Sequence, residues 1–174
     1  MAIDVYLQIE GIKGESTDSS HKDWIECKSV QWEVLQPKSA TASTGGGHTA
    51  ERCEHKDIVI AKLADLATPL LLQNCSSGKT IPKAKIEFLR ADGQGERIKY
   101  FEIELENVLI SGVSPVVSQG DILTEHMSLK YSKVKWKYTQ QKVNGGSGGN
   151  TSGGWDLRRT RQCNLAGEHI CSVV

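Results

Sequence analysis

The chain has 174 residues, 38% of them hydrophobic and 24% charged, as in an ordinary soluble domain. Basic and acidic residues number 21 each, so no net charge would attract nucleic acid or an anionic membrane. We see no basic stretch leading into an apolar segment near Met1 and no run of about 18 apolar residues, so we expect neither a secretory signal nor a membrane-spanning helix. These features predict one globular domain with a tail, folded in the cytoplasm, with its five cysteines reduced.

Three long segments alternate apolar and polar residues and then change phase partway along, at 24–36, 97–111 and 125–139. In the second segment the change falls between Tyr100 and Phe101. Successive side chains of a strand point to opposite faces, so a change of phase predicts an extra residue, a bend, or a strand that passes between packed layers. Strands this long are typical of a curved, closed sheet, and we expect one here.

The N-terminal part of the chain predicts one strand and two loops. Val5, Leu7 and Ile9 alternate with polar or aromatic residues and predict a strand, and the polar segment 14–21 predicts a loop. A second loop, 37–49, is long, rich in small residues and contains three consecutive glycines. A loop of this length inside a compact domain is usually functional, so we expect it to contact another copy or a partner.

A predicted edge strand and a predicted helix follow. Residues 52–60 are polar on both faces until Ile58, which is typical of a strand at the edge of a sheet, where it can pair with another chain. Thr68 and Pro69 then predict an N-cap and a first helical residue, and Gly78 predicts the end of that helix.

The remaining predicted elements are extended. Ala84, Ile86 and Phe88 alternate with charged residues and predict a strand, which a hairpin turn at 91–95 would join to the next one. Residues 113–124 contain proline and glycine and predict a loop.

The C-terminal part divides by composition. Residues 144–154 are rich in glycine and serine and predict a flexible connector. It would separate a β-barrel domain at 1–143 from a tail at 155–174, which we expect to dock on the domain through Trp155.

Two short motifs resemble nucleotide-binding or nucleic-acid-binding sequences, but they give little support for such sites. Gly78-Lys79-Thr80 resembles the end of a phosphate-binding loop, but Gln73 stands where that motif needs a glycine, and the predicted helix precedes the strand. A helix-terminating turn is the better interpretation. The basic tail of Arg158, Arg159 and Arg161 lacks interleaved aromatic residues, so we expect no nucleic-acid binding.

The sequence gives equally little support for a metal site or a catalytic site. His48, Cys53 and His55 form the only metal-like cluster. A closed site would need a further ligand from Glu51, His21 or Cys75, so we favour surface or interface side chains. A hydrolytic triad would consist of Ser76, His126 and Asp121. No strained turn around the serine supports that chemistry.

Two stripes of charge each occupy one face of a predicted strand. The acidic stripe is Glu102, Glu104 and Glu106, and the basic stripe is Lys133, Lys135 and Lys137. If the two strands are neighbours, these charges can pair across the sheet. We favour a solvated sheet face over a partner-binding surface.

Several short motifs occur in order along nearly the whole of 1–157. They are Met1-Ala2-Ile3-Asp4, Gly14-Glu15-Ser16 with Asp18 and His21, Gln36-Pro37-Lys38-Ser39-Ala40-Thr41, Gly47-His48-Thr49-Ala50-Glu51-Arg52, Thr68-Pro69 with Cys75-Ser76-Ser77-Gly78-Lys79, Val108-Leu109-Ile110-Ser111 with Val113-Ser114, Thr124-Glu125, and Gly154-Trp155-Asp156-Leu157. Through this ordered set the chain resembles the haemolysin-coregulated protein (Hcp) family, the tube subunits of type VI secretion.

The resemblance implies a mainly β fold, a closed barrel of two antiparallel sheets with one flanking α-helix. It implies homohexameric rings that stack into a tube. The tube would lie within a contractile sheath on baseplate proteins, carry a spike protein at its tip and hold small effector proteins in its lumen. It implies no reaction and no cofactor, and export from the cytoplasm to the medium or a target cell without a cleaved signal peptide.

Subunit contacts or ring stacking are expected in and just after the long loop. The residues are Lys38, Ser39, Thr41, His48, Thr49, Glu51, Arg52 and Glu54. Two alternatives to a structural subunit stay open from the sequence: a metal-dependent or hydrolytic enzyme, and a monomeric barrel that holds a small ligand.

Overall fold

The computed structural model describes residues 3–37, 52–91, 97–142 and 147–162. Within these ranges the elements are β1 (Ile3–Ile9), β2 (Ile25–Cys27), β3 (Ser29–Gln31), β4 (Val34–Leu35), β5 (Glu54–His55), β6 (Ile58–Leu63), α1 (Thr68–Ser77), β7 (Thr80–Ala91), β8 (Arg97–Val116), β9 (Thr124–Lys130), β10 (Lys133–Gln141), β11 (Ser147–Asp156) and β12 (Arg161–Gln162). The predicted mainly β composition with a helix is confirmed.

The described strands form two antiparallel sheets, as predicted, one of ten strands and one of two. The centre of the large sheet is β8, whose first half pairs with β10 on one side and β7 on the other. The second half of β8 pairs with β9, which leads on to β6 and then β3. Strands β4 and β5 form the small sheet. Among the described strands, hydrogen bonding runs from β12 to β2 without closing on itself, so the closed barrel stays a prediction.

The predicted changes of phase coincide with irregular points in the strands. Between β7 and β8 the register shifts where Phe88 faces Phe101 and Leu89 faces Lys99, which leaves Tyr100 as the extra residue. The segment 125–139 divides at Tyr131 into β9 and β10, which pair with different halves of β8. Each change of phase therefore marks a bulge or a change of pairing partner, as expected for strands that bend between layers.

The main core lies between the two branches of the large sheet. Buried apolar side chains come from both halves of β8 and from the strands on each side. They include Leu7, Ile25, Ile60, Ile86, Ile103, Leu105, Val108, Ile110, Met127, Leu129 and Val134. In the middle of β8 the backbone of Asn107 takes a left-handed conformation, with φ of 51°. Asparagine tolerates this region better than most residues, which suits it to the point where β8 changes partners.

Helix α1 differs from its prediction at the start and agrees at the end. Thr68 is the first helical residue, and the N-cap position belongs to Ala67, which offers no capping side chain. The predicted threonine N-cap is therefore wrong by one residue. At the other end Gly78 has φ of 63°, and its N–H donates to the carbonyl of Cys75. The apparent phosphate-binding sequence is thus a helix-terminating turn, as expected.

Three predicted boundaries are wrong. Strand β6 pairs on both sides, with β3 and β9, so the predicted edge position does not hold from Ile58 onward. Strand β8 continues to Val116, because 113–116 pair with β9 despite Pro115. Residues 147–154, predicted as flexible connector, belong to β11 and pair along β10. The hairpin turn at 92–95 lies outside the described residues.

Candidate functional site

Most of the predicted contact residues lie outside the described ranges: Lys38, Ser39, Thr41, His48, Thr49 and Glu51. The structure places the other two within the chain's own contacts. Nη2 of Arg52 donates to Oγ1 of Thr160 at 3.1 Å and to the carbonyl of Leu157 at 3.4 Å. Glu54 forms an exposed ion pair with Lys56 at 2.9 Å. Arg52 therefore joins the start of β5 to the C-terminal turn after β11.

We call residues 33–35 and 54–56 the β4–β5 ribbon. It is closed by the N–H of Lys56, which donates to the carbonyl of Glu33 at 3.0 Å. His55 connects the ribbon to the body, since its Nδ1 lies 3.1 Å from the hydroxyl of Tyr131 and its ring stacks on Trp136. Burial lowers the pKa of His55 and raises that of Tyr131 to about 12, so both groups are neutral near pH 7. His55, which the sequence placed in a metal-like cluster, thus sits at an aromatic contact.

The two predicted stripes of charge are neighbours on adjacent strands, β8 and β10. The register places Lys133 opposite Glu106, Lys135 opposite Glu104, and Lys137 opposite Glu102. Nζ of Lys133 lies 3.0 Å from Oε1 of Glu106. The cross-strand arrangement inferred from the sequence is therefore confirmed, and such pairs contribute little each because water screens them.

One end of the acidic stripe is buried, so the predicted solvated sheet face does not include Glu102. Glu102 and Glu87 are 7% and 8% exposed, and each carboxylate contacts both Lys85 and Lys99 at 2.5–3.0 Å. Burial alone would raise the pKa of Glu102, but hydrogen bonds from Lys99 and Lys85 outweigh it and lower the pKa to about 2. Burial would likewise raise the pKa of Glu87, but hydrogen bonds from His21, Lys85 and Lys99 outweigh it and lower that pKa.

His21 connects the loop 13–24 to this cluster. Its ring is 4% exposed, with Nδ1 2.8 Å from Oδ2 of Asp18 and Nε2 3.0 Å from Oε2 of Glu87. The ring stacks on Tyr6 at a centroid distance of 4.4 Å and meets the edge of Trp24. The hydrogen bond with His21 lowers the pKa of Asp18. The loop residues that suggested the family resemblance therefore build a packed polar contact with β7.

Acid is expected to destabilise the protein through these carboxylates. Their folded pKa values are lowered, so the stability they supply is complete above their ordinary values of about 4 and is lost as the pH falls through the lowered values, to about 2 for Glu102. Urea unfolding between about pH 5 and pH 2 should show a shallower loss for Glu102→Gln than for the unchanged protein. Asp23→Asn is the control, because the Asp23 side chain is 46% exposed and its partner Lys13 is 82% exposed. Equal slopes for both variants would contradict this assignment.

A second buried cluster holds the start of α1 against the sheet. Lys62 and Glu125 are both 0% exposed, and Nζ of Lys62 lies 2.5 Å from Oε1 of Glu125. The same ammonium donates to Oδ1 of Asp65 and to the carbonyl of Leu63, both at 2.8 Å. The hydroxyl of Thr68 donates to Glu125 at 3.0 Å. Lys62 thus has three acceptors, as many as an ammonium can use.

The sequence did not reveal this cluster. Lys62 and Glu125 stand 63 residues apart, and nothing local connects them. Lys62 is in phase with the buried Ile58 and Ile60, and Glu125 is in phase with the buried Met127 and Leu129. This shared parity was the only available signal.

The geometry of the described residues does not support a hydrolytic triad or a metal site. The hydroxyl of Ser76 donates to the carbonyl of Leu72 within α1, whereas Asp121 and His126 lie beside one groove near β9. In the described ranges, no group of three or more histidine, cysteine or acidic side chains is placed to hold a metal ion. Cys27 packs against the core, as predicted, and burial raises its pKa to about 12. In the part of the chain that the structure describes, no helix has the length and apolar character needed to cross a membrane.

Comparison with known proteins gives consistent results. Residues 6–138 match the family model for "Type VI secretion system effector, Hcp". "Protein hcp1" of Pseudomonas aeruginosa is 37% identical over 93% of this chain and 99% of its own length, and the "Major exported protein" of the same organism is 27% identical over 85% and 94%. A solved type six secretion system protein has a TM-score of 0.86 at 25% identity, covering 93% of this chain and 100% of that one. Hcp1 from Salmonella typhimurium has a TM-score of 0.75 at 29% identity, over 94% and 100%.

Proposed function

The chain belongs to the Hcp family of type VI secretion proteins, which are structural, secreted proteins and not enzymes, and from this membership we propose that it is a subunit of the secretion tube. In this role it forms homohexameric rings, and the rings stack. The observation that carries the proposal is the match to type VI secretion proteins over nearly the full length of both chains.

We also propose that the large sheet closes into the expected barrel through one bent strand. Strand β2 pairs with β1, strand β3 pairs with β6, and only Lys28 separates the two. The N–H of Lys28 donates to the carbonyl of Ala61 at 2.8 Å, so the chain stays hydrogen-bonded through the bend. If β2 and β3 act as one strand, pairing runs through β1, β2–β3, β6, β9, β8 and β7 and returns to β1, which supports the barrel.

The subunit contacts are proposed to involve the long loop and the segment after it. They comprise Lys38, Ser39, Thr41, His48, Thr49, Glu51, Arg52 and Glu54. Support comes from Glu54, whose side chain is 54% exposed on a two-stranded ribbon. Arg52 contributes indirectly, since its guanidinium holds the C-terminal turn and fixes where the ribbon starts.

The remaining partners follow from the same role. Stacked rings would lie within the contractile sheath on the baseplate, carry the spike protein at the tip and hold effector proteins in the lumen. The protein would fold in the cytoplasm and leave the cell without a cleaved signal peptide. A relative bears the name "Major exported protein", which supports export of this chain as well.

The oligomeric state tests the proposal. Size-exclusion chromatography with light scattering should give a mass near six times 19.1 kDa. In the same preparation, hydrogen exchange should be slower at 37–57 in the ring than in dilute, dissociated protein, since subunit contacts exclude water there. A strict monomer at high protein concentration would overturn the ring, and unchanged exchange in an intact ring would overturn the contact residues.

A further inference from the structure

The buried ring of His21 lies between two carboxylates that other cations already hold. Its Nδ1 faces Oδ2 of Asp18 at 2.8 Å, and its Nε2 faces Oε2 of Glu87 at 3.0 Å. The second oxygen of Asp18 accepts a hydrogen bond from Arg97 at 3.1 Å, and the second oxygen of Glu87 lies 3.0 Å from two lysine ammonium groups. With these cations beside them both carboxylates are ionised near pH 7, so they can only accept hydrogen bonds.

This geometry decides how many protons the His21 ring carries. A neutral imidazole has one N–H, so its other nitrogen would turn a lone pair towards a carboxylate oxygen about 3 Å away. The ring is 4% exposed, and water cannot relieve that repulsion. An imidazolium cation donates from both nitrogens and satisfies both carboxylates.

The charges packed around the ring favour the same state. Four carboxylates and three cations form one connected group of contacts with His21. The carboxylates are Asp4 of β1, Asp18 of the loop 13–24, Glu87 of β7 and Glu102 of β8, and the cations are Lys85 of β7 with Arg97 and Lys99 of β8. On β2, the exposed Glu26 pairs with Tyr6 and adds a further negative charge at the margin. A positive His21 balances the four carboxylates, whereas a neutral ring would leave negative charge in excess.

The phenol ring of Tyr6 covers one face of His21. The two ring centroids lie 4.4 Å apart and the planes differ by 9°. The face of an aromatic ring attracts a cation at this distance, which again favours the imidazolium. Burial raises the pKa of Tyr6, so the phenol itself stays neutral in weakly alkaline solution.

We propose that His21 is an imidazolium cation in the folded protein and that its second proton makes the loop 13–24 a pH-sensitive latch. The loop is closed on β7 while both ring nitrogens donate. Removal of one proton leaves a bare nitrogen against a buried carboxylate, and the loop loosens. The latch belongs to the single subunit and does not depend on ring formation.

The direction of the pH dependence follows from proton binding. In the open loop His21 meets water, where a histidine loses its proton near its ordinary value of about 6.5. Above that pH the closed loop binds one proton more than the open loop. The equilibrium constant for opening therefore rises about tenfold per pH unit, until the closed loop also gives up its proton.

Nitrogen NMR of the full chain, labelled at its histidine rings, tests the charge state. At pH 8 the His21 ring should show two protonated nitrogens, whereas the ring of the exposed His126 should show one. The spectrum of His21→Asn identifies the signals of His21 by their absence.

Two carboxylate variants test the cause. Glu87→Gln should leave His21 with one protonated nitrogen at pH 8, because a glutamine amide N–H can donate to Nε2. Asp23→Asn is the matched control from the same loop, since it changes an exposed carboxylate that pairs with Lys13. It should leave two protonated nitrogens on His21. Circular dichroism of every variant confirms that it is folded.

Amide hydrogen exchange tests the latch. The N–H groups of Gly14, Ser16 and Asp23 bond to carbonyls within the loop, so they report whether it is closed. After correction for the intrinsic effect of pH on exchange, their protection should fall about tenfold from pH 7 to pH 8. Asp23→Asn should behave in the same way, and His21→Asn should show no such dependence.

The two measurements separate the parts of the proposal. A single protonated nitrogen on His21 at pH 8 in the unchanged protein overturns the cation and the latch together. Two protonated nitrogens with exchange that does not change from pH 7 to pH 8 overturn the latch. Neither result bears on the tube function, which the oligomeric state tests separately.

Discussion

Replacing Lys62 with methionine is expected to lower the free energy of unfolding by about 3–5 kcal/mol. The substitution leaves the Glu125 carboxylate fully buried without its cation. It also removes the ammonium group from which Asp65 accepts a hydrogen bond. An isolated buried charge is costly because the protein interior cannot replace its hydration. Urea unfolding at pH 7 and a fixed protein concentration measures the loss.

Two further variants distinguish the buried pair from a generic loss of charge. Lys13→Met removes an exposed ion pair with Asp23, where the lysine side chain is 82% exposed, and should cost less than about 1 kcal/mol. Adding Glu125→Leu to Lys62→Met should recover part of the loss, because the stranded carboxylate is then gone. Oε2 of Glu125 already lacks a hydrogen-bond partner, which favours that recovery. A double variant as unstable as the sum of the singles would show that the two side chains act independently.

The bends of the fold were predictable because they change the alternation of side chains. Tyr100 falls between two apolar series of opposite parity, and the structure places a register shift there. Gly78 was predictable for a similar local reason, since a left-handed residue after a helix favours glycine. Signals of this kind lie within a few residues of the feature they specify.

Features that depend on distant pairing were not predictable in the same way. Strand β11 has a glycine- and serine-rich sequence, and it is extended because β10 supplies hydrogen-bond partners along its length. The burial of Lys62 depends on Glu125, and that of Glu87 depends on Lys85 and Lys99, all brought together by the folded chain. Among the long-range contacts, only the pairing of the acidic stripe on β8 with the basic stripe on β10 could be inferred. It could be inferred because both stripes repeat every second residue.

The proposed contact surface shows the same division. The long loop and Glu54 drew attention through composition and polarity, both local properties. The contacts of Arg52 with Leu157 and Thr160 join residues more than 100 positions apart, and no local pattern connects them. They arise only in the folded chain.

Replacing Gly14 with alanine is expected to destabilise the protein by at least about 3 kcal/mol. A Cβ at this position would come within 2.8 Å of Cα of Ile25 and closer still to the carbonyl of Trp24. These are backbone atoms, and the N–H of Gly14 is already bonded to the carbonyl of Asp23 at 2.8 Å. The backbone at Gly14 must therefore move away from Trp24 and Ile25, which also moves His21 from its carboxylate partners.

Gly149→Ala is the matched control, since a Cβ there meets no atom within 4 Å and the residue has no positive φ. It should leave stability unchanged or raise it slightly, because alanine restricts the unfolded chain more than glycine does. Chemical denaturation of both variants measures the difference. Because Gly14 fixes the loop that carries Asp18 and His21, the alanine variant should also lose the part of the acid sensitivity that the contact of His21 with Glu87 supplies. An alanine variant as stable as the unchanged protein would show that the loop can open without loss, and that the close approach of Gly14 to β2 does not hold it in place.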